Sequence, residues 1–459
     1  MCSSDLGDLG AAPGPEATVT TALTEVAPRE GPLAAEEARA GIGLNLESVG
    51  LPLPGLTGRG VTVAVIDSGI DPGHPDLQEA LGGGAKLVDW KDFTDEGFVA
   101  LTEEVAWGET YTAPDGRTFV LPGRPAASRT ARFGYWSEAR VPGRIGRDLD
   151  RNGLPLDKFG VLAVDSQQTG VYDLVYVDTD NDGSFADETP LRPFTVRGDV
   201  ARLGRFRTGD AAQRQLAFVL AELDPAGRWA SFGFDSLGHG TQVAGVLAAS
   251  GSGMTGVAPG ARLMALKVVT SLNTGTWSAV ERAVRYAAEH GADVINISLG
   301  GLPARPDSAA GAVLSEIAAE YDVLIVLAAD NTGPGLSSGP TVGSPWEALV
   351  VGGYFSPAMW ERDYGYAVPA EGVWWRSGMG PRPDGAYLPG LIAPAGSPTT
   401  SPRWLDSTGY TTVVGTSVAA PHAAGAAALL LEAARREGLR TDHRALRAAL
   451  EQGARALEG

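Results

Sequence analysis

The sequence predicts an α/β protein: a mostly parallel β-sheet with helices on both faces, interrupted by a β-rich insertion. Three observations carry this reading. Short apolar runs rich in Val, Ile and Leu read as strands covered on both faces. Such runs alternate with helical patterns along most of the chain, as βα units do. One long stretch, 90–231, breaks the alternation and holds period-two segments such as Val171-Tyr172-Asp173-Leu174-Val175-Tyr176-Val177.

The elements follow in order. Val61 to Ile66 is nearly continuous in buried-strand residues. After the insertion, Leu263 to Val269 reads as a strand and Thr276 to His290 as a helix. Asp293 to Ser298 is a strand and Asp307 to Glu320 a helix. Val323 to Ala329 and Ala348 to Val351 are strands. Ser417 to Glu432 is an Ala-rich apolar helix, with Pro421 placed near its first turn, and Asp442 to Glu451 is a final helix. Residues 7–56, rich in Ala, Pro, Glu and Gly, lack a period and read as a flexible acidic lead-in or the remnant of a pro-segment. Met1 to Leu6 matches a translation of GTG TGC TCT TCC GAT CT, the end of a sequencing adapter. These six residues are therefore expected to be an assembly artefact, and a native N-terminus is expected upstream.

With 459 residues, 44% of them hydrophobic, a large core is affordable. The net charge of −19 argues against nucleic acid or an anionic membrane as partner and suits divalent cations. No apolar run approaches the roughly 18–20 residues of a membrane span. The single cysteine, Cys2, rules out an intrachain disulfide.

Three stretches carry chemistry. Asp67, in Val63-Ala64-Val65-Ile66-Asp67-Ser68-Gly69, stands at the C-terminal end of a buried strand, where sites form in α/β sheets. His239, in Gly238-His239-Gly240-Thr241, opens an apolar helix between glycines that allow close approach. Its type suits a general base near neutral pH. Ser417, in Gly415-Thr416-Ser417-Val418-Ala419-Ala420-Pro421-His422, sits at a helix start, where free N–H groups and the dipole favour a developing oxyanion. Alone, Asp67 fits a strand-end turn and Ser417 an N-cap.

Together, in this chain order, they resemble the subtilisin-like serine peptidases over roughly Gly58 to Leu450. The resemblance implies a three-layer fold: a catalytic domain at 57–89 and 232–459, truncated at its C-terminus, and an insertion domain at 90–231. It implies an Asp67–His239–Ser417 triad and Asn331 as oxyanion donor. It places the substrate-binding edge at Ser298, Leu299, Gly300 and Gly301, where an extended peptide adds a strand. No cofactor is needed for the chemistry, and an extracellular or cell-envelope location is expected. Relatives usually have Gly where Asp330 stands, and a carboxylate beside the oxyanion opposes catalysis unless it points away.

Between Asp67 and His239 lie 171 residues. That gap, with Val351-Gly352-Gly353-Tyr354-Phe355-Ser356-Pro357 and Trp375-Arg376-Ser377-Gly378-Met379-Gly380-Pro381, resembles the tripeptidyl-peptidase-II-like and pyrolysin-like branch. Tripeptidyl peptidases grip a free amine with two glutamates. The matching positions here are Asn273 and Gly301, which carry no carboxylate, so a serine endopeptidase acting on protein or peptide substrates is expected. The alternatives are a tripeptidyl exopeptidase and a catalytically dead member acting as a binding module. Asp178, Asp180, Asp182 and Ser184, with Gly183, have the spacing of a calcium loop, although Thr189 occupies the position of the usual twelfth-residue Glu. Asp148, Asp150, Asn152 and Gly153, with Asp157 beyond, repeat the pattern more weakly. An acidic hairpin tip is the alternative.

Overall fold

The computed structural model describes residues 18–21, 34, 36–37, 39, 45–46, 54–123, 127–143, 145, 147–206, 208–301, 309–339, 346–382 and 385–457. The expected artefact at 1–6 and most of the 7–56 lead-in lie outside them.

The core is a parallel sheet of Thr62–Asp67 (β1), Leu87–Asp92 (β2), Arg262–Lys267 (β3), Val294–Ile297 (β4), Leu324–Ala328 (β5) and Leu349–Phe355 (β6). Its order is β6-β5-β4-β1-β3-β2, and Leu391–Pro394 (β7) continues it parallel to β6. β2 joining this sheet and Trp229–Gly233 joining the antiparallel one place positions 90 and 231 inside strands. Alternation splits β1 between two cores. Val63 and Val65 meet His239–Ala248 (α1) and Thr416–Arg436 (α4) on one face. Ala64 and Ile66 meet Trp277–Glu289 (α2) and Ala309–Tyr321 (α3) on the other. This is the three-layer α/β arrangement.

Local rules account for the helix ends. Thr276 caps α2 by accepting from Ala279 N, and its apolar residues 279, 280, 283, 284, 287 and 288 form one stripe. Asp442 caps His443–Gly453 (α5) in the same way. Pro421 corrects an expectation: it lies inside α4, not near its first turn. Its missing N–H leaves the carbonyl four residues back, that of Ser417, without a helical donor. Ser298 Oγ supplies one at 2.9 Å. Among the described residues α4 is also long and apolar enough to cross a membrane, yet 72% of its most apolar window is buried inside the protein.

The insertion builds two four-stranded antiparallel sheets. One joins Glu103–Ala106, Thr130–Ser137, Lys158–Val164 and Leu174–Val177; the other joins Phe98–Ala100, Ala201–Arg202, Ala217–Leu223 and Trp229–Gly233. Trp136, Phe159, Phe218, Phe232 and Phe234 pack between them. The insertion packs onto the loop after β3 at Ser271. Ser271 Oγ accepts from Gly143 N at 3.1 Å, and a Cβ on Gly143 would run into Ser271 O.

Candidate active site

Asp67 ends β1 fully buried, and His239 Nδ1 lies 2.8 and 3.0 Å from its two carboxylate oxygens. Two features bring the histidine there. Gly238, at φ +96°, turns the chain into α1. Gly240 allows the close approach, since a Cβ there would stand 2.0 Å from Gly69 O. Asp235 anchors the helix start, accepting from Gly238 N at 2.8 Å and from Thr241 N and Oγ1 at 3.1 and 2.6 Å. Burial pushes the Asp235 carboxyl up, opposed by the hydrogen bond from Thr241. Ser68 Oγ ties the end of β1 to the start of α1, donating to Asp235 and accepting from Gly240 N.

Beneath Asp67 lies a buried ammonium. Lys267, its register partner on β3, donates to Ser68 O, Ser236 Oγ and Val269 O at 2.9–3.0 Å. Glu96, from the root of the insertion, pairs with it at 3.2 Å and accepts from Ser271 N and Oγ. Neither residue stood out in the sequence. A Lys at a strand end and a Glu in an acidic stretch carry no local signal, and only the fold buries them together.

Ser417 is the second residue of α4, 2% exposed, on a helix that packs directly against α1. No hydrogen bond joins Ser417 Oγ to His239 Nε2. Asn331 follows β5, and its Oδ1 accepts from both Thr416 N and Thr416 Oγ1 at 2.9 Å. That double anchor fixes which end of the amide is oxygen, so Nδ2 is the end turned from Thr416. Asp330 adopts φ +71°, and its Oδ1 accepts from Asn331 N at 2.6 Å. Its carboxylate lies against Gly300: a Cβ built there would be 3.1 and 3.2 Å from the two oxygens.

Ser298 follows β4 beside Asp67, and Leu299–Gly301 continues as an edge. A strand already lies on it. Thr18–Thr21 runs antiparallel to Leu299–Gly301, with Thr21 opposite Leu299, Thr20 opposite Gly300 and Val19 opposite Gly301. On its other side, Thr18 and Val19 pair with Thr276 and Gly275. No local signal marks this strand, because four residues of Thr and Val in a Pro- and Ala-rich stretch show no period. Asn273, at φ +58°, makes the turn just before Gly275. Neither it nor Gly301 brings a carboxylate to the edge.

The acidic loops lie in the insertion. Asp178, Asp180 and Asp182 place carboxylate oxygens within 4.8 Å of one another. Asp178 is fully buried and accepts from Asp182 N and Gly183 N at 3.0 and 3.2 Å, while Arg117 stands 3.6 Å away. Burial first, and then the Asp182 charge, push the Asp178 carboxyl up to about 7, opposed by the Gly183 hydrogen bond and the Arg117 charge. Such an oxygen-only cluster, with three carboxylates against the single Arg117 guanidinium, fits a hard divalent cation. Ser184, expected to offer its backbone carbonyl, follows in the same loop, and its Oγ accepts from Ala186 N. In the second loop Glu138, absent from the sequence pattern, joins Asp148 and Asp150.

With this geometry in view, comparison with known proteins is direct. The family model described as the subtilase family matches residues 58–459. Pyrolysin of Pyrococcus furiosus is 35% identical over 480 residues, covering 88% of this chain and 33% of its own. Tripeptidyl-peptidase 2 of Oryza sativa subsp. japonica is 28% identical over 481 residues, covering 88% and 34%. A crystal structure of tripeptidyl peptidase 2 superposes with a TM-score of 0.62 at 22% identity, over 84% of this chain and 33% of that one, and shares the fold. The chain thus spans about a third of the length of these relatives. It belongs to the subtilase family of serine peptidases.

Proposed function

We propose that the protein is a serine endopeptidase. Ser417 Oγ attacks the scissile carbonyl while His239 Nε2 takes its proton. Asp67, bonded to Nδ1, orients the ring and stabilises the imidazolium. Asn331 Nδ2 and the Ser417 N–H receive the oxyanion. The C–N bond breaks as His239 returns the proton to the leaving amine. Water, deprotonated by the same imidazole, then releases the acyl group from Ser417. A Ser417–His239 hydrogen bond that forms only with substrate bound is common for such pairs.

The observation that carries endopeptidase over tripeptidyl exopeptidase is that Asn273 and Gly301, at the substrate edge, bring no carboxylate to pair with a free amine. N-acetylated and free-amine tripeptide reporters test this: equal or better cleavage of the blocked form is expected, and a strong preference for the free amine would reverse the reading. Fluorophosphonate labelling lost in Ser417→Ala separates an enzyme from an inactive scaffold. We further propose that Asp178, Asp180 and Asp182 hold a structural calcium ion, which has no part in the chemistry. An extracellular or cell-envelope location belongs to the same proposal.

A further inference from the structure

One side chain at the root of the insertion bears on the substrate groove. Glu96 sits in the turn where the chain leaves β2. Asp92, the last residue of β2, fixes that turn by accepting from Thr94 N and Gly97 N at 2.7 and 3.0 Å. Glu96 is 4% exposed, and its two carboxylate oxygens have separate partners. One accepts from Ser271 N and Oγ at 2.8 and 2.6 Å. The other accepts from Ser236 Oγ at 3.0 Å and pairs with Lys267 at 3.2 Å.

Ser271 lies in a tight hairpin that ends on the groove. Thr270 N donates to Thr274 O at 2.8 Å, Asn273 N donates to Thr270 O at 2.9 Å, and Gly275 pairs back with Val269. Gly275 and Thr276 then pair with Val19 and Thr18, on the far side of the strand that also pairs with Leu299–Gly301. An extended chain thus lies between two edges, and this hairpin carries one of them. The hairpin's own bonds shape it. Glu96, together with Gly143 N on Ser271 Oγ, holds it to the body of the protein. Hydrogen bonds to a buried carboxylate are among the stronger ones and are costly to leave unmade.

We propose that Glu96 is a positioning residue for substrate binding: it fixes the Ser271 hairpin, and so holds the Gly275–Thr276 edge where an extended substrate pairs. This rests on the peptidase reading above. Two substrates test it. An amine-blocked hexapeptide ester is long enough to lie between both edges; a blocked single-residue ester with the same final residue is not. A competing Thr18–Thr21 strand lowers the free enzyme available to each alike, so the ratio of their kcat/KM values reads the edge. Glu96→Leu with Lys267→Met leaves no lone charge and no acceptor for Ser271. The hexapeptide's advantage should then shrink about tenfold, the size of one or two net hydrogen bonds. Glu96→Gln with Lys267→Met keeps an oxygen for Ser271 and should keep the advantage within about twofold of wild type. A role confined to the ion pair would move both double variants alike, and equal advantages in the two overturn the proposal. Should the Leu variant not fold, Ser271→Ala leaves the ion pair whole and should shrink the advantage about threefold. An unchanged advantage there overturns the proposal as well. Loss of all turnover and of fluorophosphonate labelling in the wild type would instead strike the peptidase reading. Binding of a blocked hexapeptide and a blocked dipeptide to Ser417→Ala then decides. Their affinity ratio should be about tenfold smaller with the Leu pair than with the Gln pair, and equal ratios refute the role of Glu96.

Discussion

Replacing Ser298 with Ala tests whether a side chain on the substrate edge compensates for a proline in the nucleophile helix. Pro421 cannot donate to Ser417 O, and Ser298 Oγ does so at 2.9 Å. The same hydroxyl accepts from Asn296 Nδ2 at 3.0 Å. Asn296 and Ser298 are fully buried and Ser417 is 2% exposed, so water does not replace either bond. Ser298→Ala orphans one acceptor and one donor, each costing about 1–3 kcal/mol. With partial relaxation the sum is about 2–4 kcal/mol. Pro421→Ala restores a backbone donor to Ser417 O and removes the acceptor share of that cost. Urea unfolding followed by tryptophan fluorescence, in a Ser417→Ala background that cannot digest itself, measures all four corners of the cycle. Pro421→Ala should be more favourable by about 1–2 kcal/mol in the Ser298→Ala protein than in wild type. Additive effects within about 0.5 kcal/mol would refute the compensation.

Four further outcomes are expected. Asn331→Ala should lower kcat about a hundred- to thousandfold with little change in KM, a range taken from subtilisin itself; a KM effect alone would remove Asn331 from the oxyanion site. Lys267→Met should destabilise by about 3–5 kcal/mol, and adding Glu96→Gln should recover part of it, because the single change leaves a buried carboxylate without its cation. Burial pushes the His422 imidazole down to about 4, opposed by its bond to Val418 O, so the unfolded chain takes up the proton first. His422 thus contributes stability that is full above about pH 6.5 and falls by about 3 kcal/mol as pH drops to about 4. Unfolding curves of His422→Gln against pH should lack that part of the slope; parallel curves would count against it. Calcium at a hundred times its dissociation constant should add about 2.7 kcal/mol and a chelator should remove it, while Asp178→Asn should respond to neither.

Much of the fold is legible in local chemistry. Buried parallel strands need apolar residues on both faces, so β1, β3, β4 and β5 are visible as short, mainly apolar runs. The capped helices α2 and α5 announce themselves through Thr276 and Asp442. Asp67, His239 and Ser417 stand in short stretches whose small neighbours serve close approach, as Gly240 shows at Gly69 O. Polar contacts between distant segments leave no such trace. Glu96 and Lys267 are 171 residues apart and meet only because β3 lies beside β1 and the insertion folds back to Ser271.

The direction of Asp330 belongs to that second class. Its identity beside Asn331 is plain in the chain, and from identity alone it threatens the oxyanion. The fold turns it instead onto the Asn331 N–H and the wall at Gly300, because φ and the neighbouring strand set where a side chain points. Likewise Pro421 and Ser298 each look ordinary, and their complementarity exists only where α4 crosses the end of β4. Periodicity and residue type specify elements and chemistry, since these follow from interactions within a few residues. Orientation, burial and the pairing of charges follow from which elements become neighbours, and that is a property of the packed molecule.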